Sequence, residues 1–208
     1  MIKLKKLLEL DEIKYSGKIK PKHKKRMEKE LKLTHEVQVR HNPPPLNSSR
    51  ETRKELEWLK NYNEGQVDED MVKKGDNVKT AFREYCEENF LDYPKNYIKE
   101  LIKESGKIIY QLKYKYNRPR PKQVAEFLEM DFPTTTLESM HTPSYPSGHS
   151  TQGIFIGRVL SKMYPTHEKQ LMEIGKMISN SRLMARAHYP SDSKFGEELG
   201  ELLFRNLK

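Results

Sequence analysis

The sequence holds a single cysteine, Cys86, among 208 residues. An intrachain disulfide is therefore excluded, and with it the stapled small-domain architectures. Long apolar runs are also missing. Patches such as Ile154-Phe155-Ile156 fall far short of the roughly 18 apolar residues a membrane-spanning helix needs. The opening segment, Met1 to Leu10, begins like an export signal, but Glu9, Asp11 and Glu12 interrupt its apolar stretch before a full hydrophobic region can form. The expectation is a soluble cytoplasmic chain with no membrane span. No strand-like alternation of useful length appears, and there is no internal repeat.

Positive charge is what the chain has in excess, with a net charge of +9. The excess is uneven. Residues 1–40 carry 13 Lys and Arg against 6 Asp and Glu, so most of the imbalance lies there. A basic balance favours anionic partners. We read 1–40 as a basic N-terminal arm and 41–208 as the folded domain, joined at the stiff segment Asn42-Pro43-Pro44-Pro45. Within the arm, residues 14–32 read as a solvated, Lys-rich stretch. Nucleic acid or another polyanion is a partner the arm could take, although no aromatic residue interrupts Lys18 to Arg26 to offer a stacking platform.

Beyond the arm, apolar residues recur at helical spacing. Ser48 or Ser49 is placed to cap a helix from Arg50, with Leu56, Trp58 and Leu59 on its apolar face. Helices are expected over 69–90, 96–115, from His149 to about Tyr164, over 167–187 and over 192–206. Pro119 and Pro121 end the 96–115 helix. A long loop is expected from 117 to 147. The fold class is all-α, a helical bundle.

Three clusters remain. Lys113 is followed by six residues and Arg120-Pro121. Pro146-Ser147-Gly148-His149 opens a helix. Ser181-Arg182 is followed by five residues, His188, three residues and Asp192. Singly, each has a plain reading: a solvated basic stretch, a turn with a helix start, and a helix-terminus pair. His23, His35, His41, His141 and His167 lack comparable partners and read as surface or structural residues. Three such patterns in order are far more specific than any one alone.

Together they resemble the type 2 phosphatidic acid phosphatase superfamily, which also includes the vanadium haloperoxidases, and whose signature is K-x6-RP, PSGH and SR-x5-H-x3-D. The triple proline Pro43 to Pro45, the stretch Lys113 to Pro121, and Ser144 to Thr151 bring it nearest the bacterial class A non-specific acid phosphatases. The resemblance spans about 43–206. It implies a bundle of the acid phosphatase and vanadium-dependent haloperoxidase type that hydrolyses phosphate monoesters through a phosphohistidine, with His188 as nucleophile, His149 as general acid and base, and Asp192 orienting His188.

The chemistry fits those residue types. A phosphoryl transition state spreads charge over three oxygens and calls for fixed cations and donors. Lys113, Arg120 and Arg182 supply the cations, Ser147 a hydroxyl, and Gly148 close approach at a helix start. No metal and no cofactor is expected, and the substrate is a small phosphorylated molecule. The same residues would also serve a vanadium-dependent haloperoxidase or a non-catalytic polyanion-binding protein. Oligomeric state is open, a homo-oligomer included. Because every signature residue lies beyond Pro45, the arm is expected to stand apart from the site.

Overall fold

The computed structural model describes residues 4–40, 43–135 and 137–208; Met1 to Lys3, His41, Asn42 and Thr136 lie outside the described residues. The helices are α1 (Leu4–Glu12), α2 (Pro21–Met27), α3 (Arg50–Asn61), α4 (Glu69–Gly75), α5 (Val78–Glu88), α6 (Lys95–Tyr116), α7 (Pro121–Phe127), α8 (Gly148–Met163), α9 (Glu168–Met184) and α10 (Pro190–Arg205). Among the described residues there is no strand, only an isolated bridge between Thr34 and Leu207. The chain is all-α, as its periodicity implies.

Local chemistry sets the boundaries. Ser49 Oγ accepts the Thr52 N–H at 3.1 Å and caps α3. The single helix expected over 69–90 is two, because Asn77 is extended and its side chain accepts the Thr80 N–H at 3.2 Å, starting α5 afresh. Asp68 caps α4 by accepting the Met71 N–H at 2.9 Å. The acidic run Asp68-Glu69-Asp70 thus begins a helix. The loop expected from 117 to 147 contains α7. Helix α6 stops at Tyr116 on Asn117, which is left-handed (φ 48°), before either proline. Pro121 instead opens α7, since its ring suits the first turn, where no N–H is needed.

Helix α8 is the centre of the bundle, packed between α9 and α10. Its contact with α9 is backbone-close: a Cβ at Gly153 would meet the Gly175 carbonyl oxygen at 2.9 Å, and one at Gly175 would meet that of Gly153 at 2.8 Å. Phe82, Phe155, Ile156, Leu160, Leu171, Ile178 and Leu199 fill the surrounding core. Each such side chain contributes about 1.5–3 kcal/mol through burial. On α3, Leu56 and Leu59 are buried, whereas Trp58 is 45% exposed; only the first two form the apolar face.

The arm is folded against this bundle. Leu10 joins a second core with Leu56, Leu59 and Val124. The backbone carbonyls of Leu10 and Ile13 each accept from Asn47 Nδ2 at 2.9 Å. The Glu104 carboxylate of α6 is buried and accepts the backbone N–H groups of Lys32, Leu33 and Thr34 at 2.8, 3.1 and 3.0 Å, with the Thr34 hydroxyl at 2.9 Å. In the stretch read as solvated, Lys18, Lys20, Lys22, Lys24 and Lys25 are exposed. His23 is not: its ring is buried, stacks on Tyr110 at 4.4 Å between centroids, and meets the Tyr114 hydroxyl through Nδ1 at 2.7 Å.

Candidate active site

Two helix starts share one local grammar. In Arg120-Pro121-Lys122-Gln123 and in Tyr189-Pro190-Ser191-Asp192, the first residue is extended and proline follows it. The fourth side chain accepts the first residue's backbone N–H, Gln123 at 2.9 Å and Asp192 at 3.0 Å. This is half of a capping box with proline at the first helical position. Proline also holds the preceding residue extended, which stands Arg120 off the end of α7. A third start, that of α8, is capped by Ser147, whose Oγ accepts the Ser150 N–H at 3.3 Å. The Ser147 N–H donates to the Asp192 backbone carbonyl at 3.0 Å, and a Cβ at Gly196 would sit 2.6 Å from the Ser147 carbonyl oxygen. The first turns of α8 and α10 are therefore pressed together, which brings His149 and His188 to one place.

The His188 ring is fixed at both nitrogens. Arg120 Nη1 donates to Nε2 at 3.0 Å, and a guanidinium can only donate. Nε2 therefore carries the lone pair, and Nδ1 carries the proton that faces Asp192 Oδ2 at 3.4 Å. Asp192 also accepts from Arg118 Nη1 at 2.6 Å and from Ser144 Oγ at 2.5 Å. Burial alone would keep this carboxyl protonated. The Arg118 charge and the hydrogen bonds from His188 and Ser144 outweigh it, and Asp192 stays ionised well below the usual aspartate range.

The cations are held as firmly. All five Arg120 N–H groups have partners: the Thr142, Ala187 and Ser139 carbonyls at 2.9, 2.7 and 3.2 Å, Thr142 Oγ1 at 3.1 Å, and His188. Lys113 Nζ donates to the Pro143 and Ser144 carbonyls at 2.6 and 3.2 Å. Arg182 donates to Asp76 Oδ1 at 2.7 Å, to the Val72 carbonyl at 3.0 Å and to Ser181 Oγ at 3.0 Å. Burial and the neighbouring Arg120 push the Lys113 ammonium well below the ordinary lysine value. Burial likewise brings Arg120 down to about 10.

These groups surround a cleft of about 320 Å³. Five of the residues expected from the sequence line it: Lys113, Arg120, Gly148, His149 and His188. The other three, Ser147, Arg182 and Asp192, are fully buried and lie behind it. His149 Nε2 donates to the Asp76 backbone carbonyl at 3.0 Å. Burial and the Arg182 charge push His149 down to about 4, against a raising effect of Asp76. His188 also lies well below its ordinary value, through burial and then the charge of Arg120. Both rings are thus neutral at neutral pH.

Sequence reading missed several residues. Arg118 is buried and holds Asp192 and Glu55, the latter at 3.0 Å, while its guanidinium lies 3.8 Å over the Tyr189 ring. It stands one proline away from Arg120, and a buried aspartate needs a countercharge; that was the available signal. Asp76, at the α4–α5 junction, had none. His141, read as surface or structural, lines the cleft with Thr142 and Ser139. So do Lys20, Lys22, His23 and Arg26 of the arm, which was expected to stand apart.

Among the described residues, no three His, Cys, Asp or Glu side chains gather to hold a metal ion, and no helix is long and apolar enough to cross a membrane. A sequence model of the PAP2 superfamily matches residues 101–205, half of the chain. Similar proteins include an acid phosphatase of Zymomonas mobilis, 30% identical over 105 residues, which is 49% of this chain and 38% of that protein. A non-specific acid phosphatase of Salmonella typhimurium is 35% identical over 65 residues, 31% of this chain and 26% of that protein. The chain thus spans well under half the length of these relatives.

Proposed function

Since the chain belongs to the PAP2 superfamily and is distantly homologous to bacterial acid phosphatases, we propose that it hydrolyses phosphate monoesters through a phosphohistidine at His188. The observation that carries this reading is the fixed tautomer of His188. Its Nε2 lone pair faces the cleft's cations while Nδ1–H is anchored on ionised Asp192. In this reading residues 41–208 form the phosphatase domain, and residues 1–40 an arm against one side of its cleft.

In the first step Nε2 attacks phosphorus and the ester oxygen leaves with the proton of His149. Asp192 stabilises the positive charge that grows on the His188 ring. The Arg120 N–H that meets Nε2 passes to a phosphoryl oxygen as the new N–P bond forms. Lys113 and the Gly148 N–H at the start of α8 face the other oxygens. Arg182 acts from behind the cleft through its charge. In the second step neutral His149 takes a proton from water, which attacks the phosphohistidine and frees Nε2. His149 must enter the first step protonated. Its free value near 4 places that form on the acid side until a bound dianion offsets the Arg182 charge. Fixed protein cations supply the electrostatics, so no metal is required by this scheme.

Rapid quench with mass spectrometry, in excess chelator, tests the division of labour. His188→Ala should give no phosphoenzyme and no turnover. His149→Ala should lose roughly 10²–10⁴-fold in turnover. With an aryl phosphate, whose phenolate leaves without much protonation, it should accumulate an acid-labile phosphoenzyme. Phosphate on any residue of turning-over His188→Ala protein would refute the mechanism.

A further inference from the structure

The cleft is shared between the signature residues and the arm. Helix α2 carries Lys22, His23 and Arg26 on the face toward the cleft, with Lys20 just before it, while Lys24 and Lys25 do not line the cleft. His23 fixes this helix on α6 through its stack on Tyr110 and its bond to the Tyr114 hydroxyl. Arg26 packs on the same surface. A Cβ at Gly106 would come within 3.1 Å of its Cδ, and its guanidinium sits 5.8 Å from the Tyr110 ring centroid.

Three basic residues at the contact between the arm and the bundle have carboxylate partners across it: Lys6 has Glu129, Lys29 has Glu100, and Lys107 has Glu36. Among the described residues, no ion pair within 4.0 Å involves Lys20, Lys22 or Arg26. Lys20, Lys22 and Arg26 line the same cleft as Lys113 of the signature, so the two sets of charge share one space; burial first, and then these four charges, push His23 down to about 4. That space is about 320 Å³. At roughly 30 Å³ per water molecule it equals about ten waters, and one phosphoryl group with its three free oxygens leaves much of it unfilled.

We propose that Lys20, Lys22 and Arg26 form a second phosphate subsite, so that the preferred substrate is a small molecule carrying two phosphate groups. One phosphate meets His188, and the other is held on α2. Hydrolysis at His188 then yields the monophosphate and inorganic phosphate, and leaves the second phosphate untouched. The class of substrate rests on the phosphatase reading, whereas the subsite itself does not.

The test therefore uses binding as well as turnover. Straight-chain alkanes bearing a phosphonate at one end or at both, in a series of lengths, are titrated calorimetrically into the full chain. At the best length the bisphosphonate should bind about tenfold more tightly or better, a factor that one charge-assisted contact supplies. Lys20→Gln with Lys22→Gln should abolish that preference. Both side chains are exposed, so the fold should persist. Lys24→Gln with Lys25→Gln removes the same net charge from the outer face of α2 and should retain the preference. Equal affinity for the two series in the wild type would overturn the proposal. So would equal loss of preference in both double variants, because net charge alone would then explain it. Turnover of the corresponding mono- and bisphosphate esters separates the two readings. Preference in binding without any hydrolysis supports the subsite and counts against the phosphatase. Hydrolysis without preference in binding does the reverse.

Discussion

On the side of the cleft formed by α6, α8 and residues 187–192, each charge is tied down. Asp192 accepts from Arg118, Ser144, Tyr189 and His188, and Arg120 uses all five of its donors. On the side formed by α2, Lys20 and Lys22 reach into solvent, and among the described residues neither makes an ion pair within 4.0 Å. The difference matches the two tasks proposed for one site. Charge that develops at a single phosphorus is best met by groups already fixed in place, since they need no reorganisation during the step. A second phosphate that only has to be captured is served by mobile surface cations. Each such contact is weak and is screened by salt.

The fixed side breaks most completely at Arg118. Arg118→Met leaves the Asp192 carboxylate buried beside His188 without its main countercharge. Removing one partner of a buried pair costs about 3–5 kcal/mol, and we expect that loss in denaturant unfolding at neutral pH. We also expect phosphate release to collapse, because a protonated Asp192 no longer holds Nδ1–H in place. The pH dependence gives the sign. Asp192 in the folded protein ionises below the ordinary value of 3.8. Its contribution to stability is therefore complete above that value, and fades as pH falls from there toward the depressed folded value. The variant should lose this acid-side dependence. Wild-type stability and turnover in Arg118→Met would mean that Asp192 is held by its other three donors.

The arm side breaks at Glu104. Its two oxygens collect three backbone N–H groups and a hydroxyl from residues 32–34. Glu104→Gln turns an NH₂ toward those donors and leaves at least one buried and unsatisfied, at about 1–3 kcal/mol. The expected outcome is faster amide exchange at 32–34 and readier proteolysis over residues 14–30. Any twofold-phosphate preference should weaken, with the His188 chemistry retained. Unchanged exchange at Lys32, Leu33 and Thr34 would show that the arm is held elsewhere, for example by His23 or by Leu10.

The contrast between the two sides also explains what could be read from the sequence. The helices and the three clusters follow from patterns local in the chain: 3.6-residue periodicity, proline before a helix, and i to i+4 spacing in His188 and Asp192. The gathering of His149 with His188 was implied only by the resemblance to the phosphatase superfamily, and it rests on the long-range contact of Ser147 with Asp192 and Gly196. Three things did not follow. Asp76 enters the site because Asn77 interrupts what reads as one helix. Arg118 looked like one more surface cation in Arg118-Pro119-Arg120-Pro121, because nothing local says that Asp192 will be sealed from water. The arm read as solvated because its composition is that of a solvated tail. A buried histidine, one carboxylate seventy residues away in sequence, and Leu10 are among the contacts that dock it, and long-range pairings of that kind leave no period to detect.

The smallest expected effect belongs to Asp76, at the edge of the fixed side. Its carbonyl accepts from His149 and its carboxylate, 41% exposed, lies 3.8 Å from the same nitrogen and 2.7 Å from Arg182. Asp76→Asn keeps the carbonyl and removes only the charge. The charge raises the His149 value, so its loss must lower that value further from about 4. On the proposed mechanism the free enzyme needs His149 protonated, and its titration sets the alkaline limb of kcat/KM. That limb should move toward acid. The shift should be no more than about one pH unit, because a half-exposed charge acts through a high effective dielectric. KM should fall at the same time, since the Arg182 charge is no longer offset by a carboxylate. The acid limb, set by His188 behind Arg120, should stay where it is. A pH profile whose alkaline limb is unmoved, or moves toward higher pH, would take His149 off that limb and assign the leaving-group proton to another residue, with His141 in the same cleft as the first to substitute.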